Sequence, residues 1–119
     1  MTKLQKMEKE FCHGNYEFAS SPCETKEFAS FSRRLKNALK AELSDGNEIA
    51  KYSKGHFEVT GFIRRADGKL FFFSVGDVRS WGVTHYDVMY RTASSLTDYR
   101  GGSNRWTNLG NLAQAILSA

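Results

Sequence analysis

Proline is nearly missing from this chain, with Pro22 alone among 119 residues. A proline-rich disordered linker is therefore not expected. Cysteine is scarce as well, represented by Cys12 and Cys23 only. Zinc sites normally show paired ligands, as in C-x2-4-C or H-x3-5-H. Here ten residues lie between the cysteines, and His13, His56 and His85 are scattered. No metal and no other cofactor is expected, and the cysteines read as small packed hydrophobes. No apolar run approaches the roughly 18 residues of a membrane span. The opening MTKLQKMEKEF has no apolar stretch of the kind a secretory leader carries. The expectation is a chain without membrane association, in a cytosol that keeps its thiols reduced.

Catalytic signatures are also lacking. There is no Gly-x-Ser-x-Gly elbow and no phosphate loop. Cys12, or Cys23 near a helix N-terminus, can have a lowered pKa, and His85 with Asp87 can form an oriented pair. Glu58 and Asp77 oppose each other if the hairpin closes through a two-residue turn, and paired carboxylates can do acid–base work. None of these has an assignable partner, so the chain is expected not to be an enzyme.

What is present points to one α+β domain spanning residues 1–119. The length suits a single domain that buries its own core. The charge is uneven. Residues 1–50 balance, whereas the rest of the chain supplies the whole net charge of +4. A basic half permits contact with nucleic acid or with an acidic protein face.

Leu4, Met7 and Phe11 fit an amphipathic helix over residues 3–12, which Gly14 can end. Ser21-Pro22-Cys23-Glu24 offers an N-cap, a proline at the first helical position and a capping-box Glu. Phe28, Phe31, Leu35, Ala38 and Leu39 continue at helical spacing. Asp45-Gly46 stops the run, predicting a helix over residues 22–44 with a basic outer face of Lys26, Arg33, Lys36 and Lys40. From residue 56 the period becomes two. Phe57, Val59, Gly61 and Ile63 share one face; Glu58, Thr60, Phe62 and Arg64 share the other. Asp67-Gly68 is a hairpin signal, and LFFFSV (70–75) forms the return strand. A two-residue turn pairs Ile63 with Phe72 and Phe62 with Phe73. Both faces of the hairpin are then apolar, so the second face is either covered by a helix or used for binding. A third strand is predicted over residues 86–93 and a last helix over residues 107–118, capped by Thr107 or Asn108. The expected fold is a three-stranded, mostly antiparallel sheet with two N-terminal helices and a C-terminal helix. An apolar second face or an unpaired edge on such a sheet can drive a homodimer.

Arg64, Arg65, Lys69, Arg79, Arg91, Arg100 and Arg105 surround the aromatic strands. Single-strand-binding sheets place exposed aromatics among such cations, and a face of Phe62, Phe71 and Phe73 beside Arg64 suits that role. In RTASSLTDYRGGSN (91–104), Ser94, Ser95, Thr97 and Asp98 favour side-chain bonds to the local backbone. Gly101-Gly102 permits positive φ or close approach. Tyr99 and Trp106 can pin this loop on the sheet.

KLFFFSVGDVRSW followed by MYRTASSLTDYRGGSN resembles a group of small proteins of bacterial phages and other mobile elements. Members carry a strand ending in Arg-Thr-Ala and a following Asp-Tyr-x-Gly-Gly-x-Asn. Here those positions are Arg91, Thr92, Ala93, Asp98, Tyr99, Gly101, Gly102 and Asn104, and the resemblance spans about residues 56–106. It implies a mobile-element interaction protein acting in a bacterial host's cytoplasm, with an anti-CRISPR inhibitor as the leading form. The expected partner is a protein such as a CRISPR effector nuclease, its nucleic acid, or both. The basic charge argues against a DNA mimic. The alternative is a small basic nucleic-acid-binding domain. In either reading the contact residues are Arg64, Arg65, Lys69, Arg79, Arg91, Tyr99, Arg100, Arg105 and Trp106.

Overall fold

The computed structural model of the chain describes residues 1–11, 26–55, 58–76 and 88–119. The proline-containing cap of the second helix, both cysteines, all three histidines, Arg79 and Asp87 lie outside the described residues.

Helix α1 (Lys3–Phe11) opens on a capping box of its own. Gln5 N–H donates to Thr2 Oγ1 at 3.1 Å, and Thr2 N–H donates to Gln5 Oε1 at 2.9 Å. A third N-terminal donor, Leu4 N–H, is taken by the Glu42 carboxylate at 3.0 Å. Glu42 ends helix α2 (Lys26–Glu42), so one carboxylate both caps α1 and ties the two helices. Phe31, Leu35, Ala38 and Leu39 line the buried stripe of α2, as their spacing requires. Asp45 and Gly46 both take positive φ and reverse the chain, leading into the sheet.

Among the described residues the sheet has five strands in sequential order, each antiparallel to the next, instead of the expected three. They are β1 (Glu48–Lys54), β2 (Glu58–Arg64), β3 (Leu70–Gly76), β4 (Val88–Ala93) and β5 (Arg105–Thr107). Two physical reasons hid the edge strands. In β1 the register shifts between Ile49 and Lys51, so core-facing Ile49 and Tyr52 stand three apart and the period of two is broken. β5 is only three residues long, too short to show a period. Its last residue, Thr107, occupies the start of the predicted final helix. A 3-10 turn (Leu109–Asn111) follows, capped by the Asn108 side chain, and then α3 (Leu112–Ser118).

The β2–β3 hairpin closes differently from the two-residue expectation. Arg65 N–H donates to Lys69 O at 2.8 Å and Gly68 N–H to Arg65 O at 2.9 Å. Ala66, Asp67 and Gly68 therefore form the turn, with Gly68 at φ +89° supplying the left-handed third position. The extra turn residue moves the register by one. Phe62 pairs with Phe72 and Ile63 with Phe71, while Glu58 opposes Gly76. The proposed Glu58–Asp77 pairing is thus not the register; Glu58 instead accepts from Ser74 Oγ at 3.1 Å.

This register sorts the phenylalanines. Val59, Ile63, Phe71, Phe73, Val75 and Val88 face the helices and form one core with Leu4, Met7, Phe31, Leu35, Leu39, Leu112 and Ile116. Phe62 and Phe72 point to the other side, so Phe62, Phe71 and Phe73 do not share a face. Among the described residues no helix is long and apolar enough to cross a membrane.

Candidate partner-binding site

The sheet face opposite the helices carries Lys51, Phe62, Phe72, Arg91, Met89 and Trp106. An apolar strip here needs a cover, and the β4–β5 loop provides one. Tyr99 stands edge-on to both rings, 5.4 Å from Phe62 and 5.7 Å from Phe72 between centroids. Phe62 is left 0% exposed and Phe72 only 4%. Lys51 holds the loop from the far side. Its ammonium donates to Leu96 O at 3.3 Å and lies 5.1 Å from the Tyr99 ring centre.

Arg91 secures the near side. It is 2% exposed and lies over the Phe72 ring at 4.7 Å. Its guanidinium donates to Asp98 O at 2.6 Å and to Thr92 O at 3.2 Å. The Asp98 carboxylate stands 3.6 Å from Arg91 Nη1. That carboxylate accepts from Ser94 N–H at 2.9 Å and from Gly101 N–H at 2.8 Å. Gly101 sits so close that a Cβ there would meet Asp98 Oδ1 at 2.6 Å. Gly102 takes φ +78° with a would-be Cβ 3.0 Å from Thr92 O. Arg91, Asp98, Gly101 and Gly102, which carry much of the resemblance noted above, are therefore parts of one loop closure. In this chain they fix how the loop folds over the sheet.

The carboxyl groups respond to this wiring. The Ser94 and Gly101 amides, with the Arg91 charge beside them, hold Asp98 below the ordinary carboxylate range. At the hairpin turn, hydrogen bonding from Arg65 takes Asp67 down to about 2. A carboxylate with a depressed folded pKa stabilises the fold above its unfolded pKa and loses that contribution as pH falls through the folded one. The urea midpoint is accordingly expected to hold at neutral pH and to decline from about pH 4 downward. Asp98→Asn is expected to make that decline shallower; an unchanged acid profile in the variant would remove Asp98 from this role.

The predicted contact residues divide between several places. Arg91 is internal. Arg65 is half-buried and occupied, donating to Asp67, Ala119 O and, at 3.1 Å, Ile116 O. It ties the hairpin turn to the C-terminal end of α3. Arg64 pairs with Glu48 across the β1–β2 edge at 2.8 Å, both side chains being exposed. Arg79 is outside the described residues. Arg100 is exposed in the loop next to Tyr99. Trp106 and Arg105 are adjacent in β5 and therefore point to opposite faces. Trp106 opposes Met89 on the loop-covered side, and Arg105 opposes Tyr90 on the helix side. Lys69 joins Arg105 beside a cavity on that second side.

Two residues important to this face were not singled out from sequence. Lys51 lay in the unrecognised strand β1, and Met89 becomes a surface neighbour of Trp106 only through the β4–β5 register. Among the described residues, no group of three or more His, Cys, Asp and Glu side chains is placed to hold a metal. The chain matches no family model, no curated protein and no solved structure.

Proposed function

We propose that this chain is a non-enzymatic interaction protein that grips a protein partner through Trp106, with Tyr99, Met89 and Arg100 around it. The observation that carries this reading is Trp106 itself. It is 57% exposed in the middle of an edge strand, on the face where Tyr99 is 46% exposed. Exposed tryptophan, tyrosine and arginine are the side chains that most often dominate binding energy at interfaces. A nucleic-acid platform of stacked phenylalanines has less support, because Phe62 and Phe72 are sealed under Tyr99. The resemblance to mobile-element proteins makes a CRISPR effector nuclease the first partner to test, with inhibition as the consequence.

Immobilised protein is expected to retain a bacterial protein with and without nuclease treatment. Cleavage by the retained effector is expected to fall when the chain is added. Trp106→Ala is expected to weaken binding at least tenfold while altering stability by less than about 0.5 kcal/mol, as for an exposed side chain. Retention that vanishes on nuclease treatment, or full binding by Trp106→Ala, would overturn the proposal.

A further inference from the structure

A cavity of about 400 Å³ lies on the other side of β5, where the start of β3, the end of β4 and the β4–β5 loop meet the end of α3. Lys69, Phe71, Tyr90, Thr92, Ser103 and Arg105 line it, with Gly102, Arg91 and Ala119 completing the wall. Among the described residues its side-chain charge is one-sided, and no aspartate or glutamate side chain among them contributes to the wall. The Arg91 charge is answered by Asp98, and the main-chain oxygen of Ala119 is taken by Arg65. Lys69 and Arg105, by contrast, form no ion pair among the described residues. The hydroxyls of Tyr90, Thr92 and Ser103 likewise make no hydrogen bond among the described residues.

From this geometry we infer that the cavity binds a phosphate monoester. Such a group carries a charge near −2 and three strong acceptor oxygens. Arg105 and Lys69, neither in an ion pair among the described residues although the Lys69 charge also helps to hold the Asp67 carboxyl down, supply the charge, and the hydroxyls of Tyr90, Thr92 and Ser103 supply further donors. The volume lies within the range of small-ligand sites and exceeds what a bare phosphate fills. The Tyr90 ring, part of the same wall, offers an aromatic surface for an attached nucleoside. A free nucleotide and the 5′-phosphate end of a nucleic-acid strand share this chemistry. The site uses different residues from Trp106, so it stands or falls independently of the partner proposal.

Calorimetric titration at low salt tests it, with adenosine 5′-monophosphate, adenosine, and a short oligonucleotide with and without a 5′-phosphate. The monophosphate is expected to bind at least tenfold more tightly than adenosine. Arg105→Gln and Lys69→Gln, both at exposed positions, are each expected to weaken it at least tenfold without lowering the melting temperature. Tighter binding of the 5′-phosphorylated strand than of the mononucleotide supports a strand end as the ligand; the reverse order supports a free nucleotide. No binding of any phosphorylated probe, equal binding of adenosine, or binding unchanged in both variants would overturn the inference.

Discussion

Arg91→Ala is expected to reduce the unfolding free energy by about 3–5 kcal/mol, the range found when one partner of a buried charge pair is removed. The guanidinium is 2% exposed, and its loss does three things at once. It empties the space above the Phe72 ring. It leaves the main-chain oxygens of Thr92 and Asp98 without their donors. It also removes the positive charge nearest the Asp98 carboxylate. The loop is then held over Phe62 and Phe72 from the Lys51 side, without the Arg91 brace. Arg91→Lys is expected to recover only part of the loss, since an ammonium cannot reach two carbonyls in the fixed fork of a guanidinium. Arg91→Met tests packing separately, because it fills the volume and donates nothing. Urea denaturation of the three variants checks the ordering, and a loss below about 1 kcal/mol for Arg91→Ala would place Arg91 outside the loop closure.

Gly61→Ala is expected to be nearly as damaging, at about 3 kcal/mol, the upper part of the usual overpacking range. The added carbon would lie 2.6 Å from Lys51 O, and 2.7 and 2.8 Å from two atoms of the Phe73 ring. Neither neighbour can give way cheaply. Lys51 O belongs to the adjacent strand, and Phe73 is fully buried beneath the helices. Gly61 is thus the place where the Phe73 ring crosses the sheet, with Tyr52 packed 6.4 Å away. Gly68→Ala makes the useful comparison. Among the described residues nothing lies within 4 Å of a Cβ there, and the positive φ is what opposes the change. Its expected cost is about 1 kcal/mol. Thermal melts of the two variants should therefore separate clearly. Similar melting temperatures would mean that the contact with Phe73 and Lys51 O is not rigid.

The same contrast separates what was legible in the amino-acid pattern from what was not. Helical spacing in Leu4, Met7, Phe31, Leu35 and Leu39 identified buried faces, because a regular helix repeats its geometry without reference to neighbours. The alternation through β2 and β3 likewise identified two apolar faces. It left the second face to a covering helix or a binding partner, whereas the Tyr99 loop covers it. Register was not legible at that level. One turn residue more or fewer reverses which phenylalanine meets which, and the turn's length is set by the Arg65–Lys69 and Arg65–Gly68 hydrogen bonds.

The candidate contact residues show the limit in another way. Seven arginine and lysine positions look alike in a string of letters. In three dimensions Arg91 is an internal brace, Arg65 a tie between the hairpin and α3, and Arg64 half of a surface ion pair. Lys69 and Arg105 come together at one cavity. Charge is written in the sequence, but its availability depends on what packs around it.

By itself, then, the sequence determined the helix faces, the apolar hairpin, the basic second half and the turn-forming character of residues 94–104. These depend on local periodicity and residue chemistry. Tertiary structure alone decided the two edge strands, the register, the burial of Arg91 beneath its loop and the exposure of Trp106. Each of those depends on contacts between segments far apart in the chain, and a bulge, a turn residue or a short strand can change them without altering any local pattern.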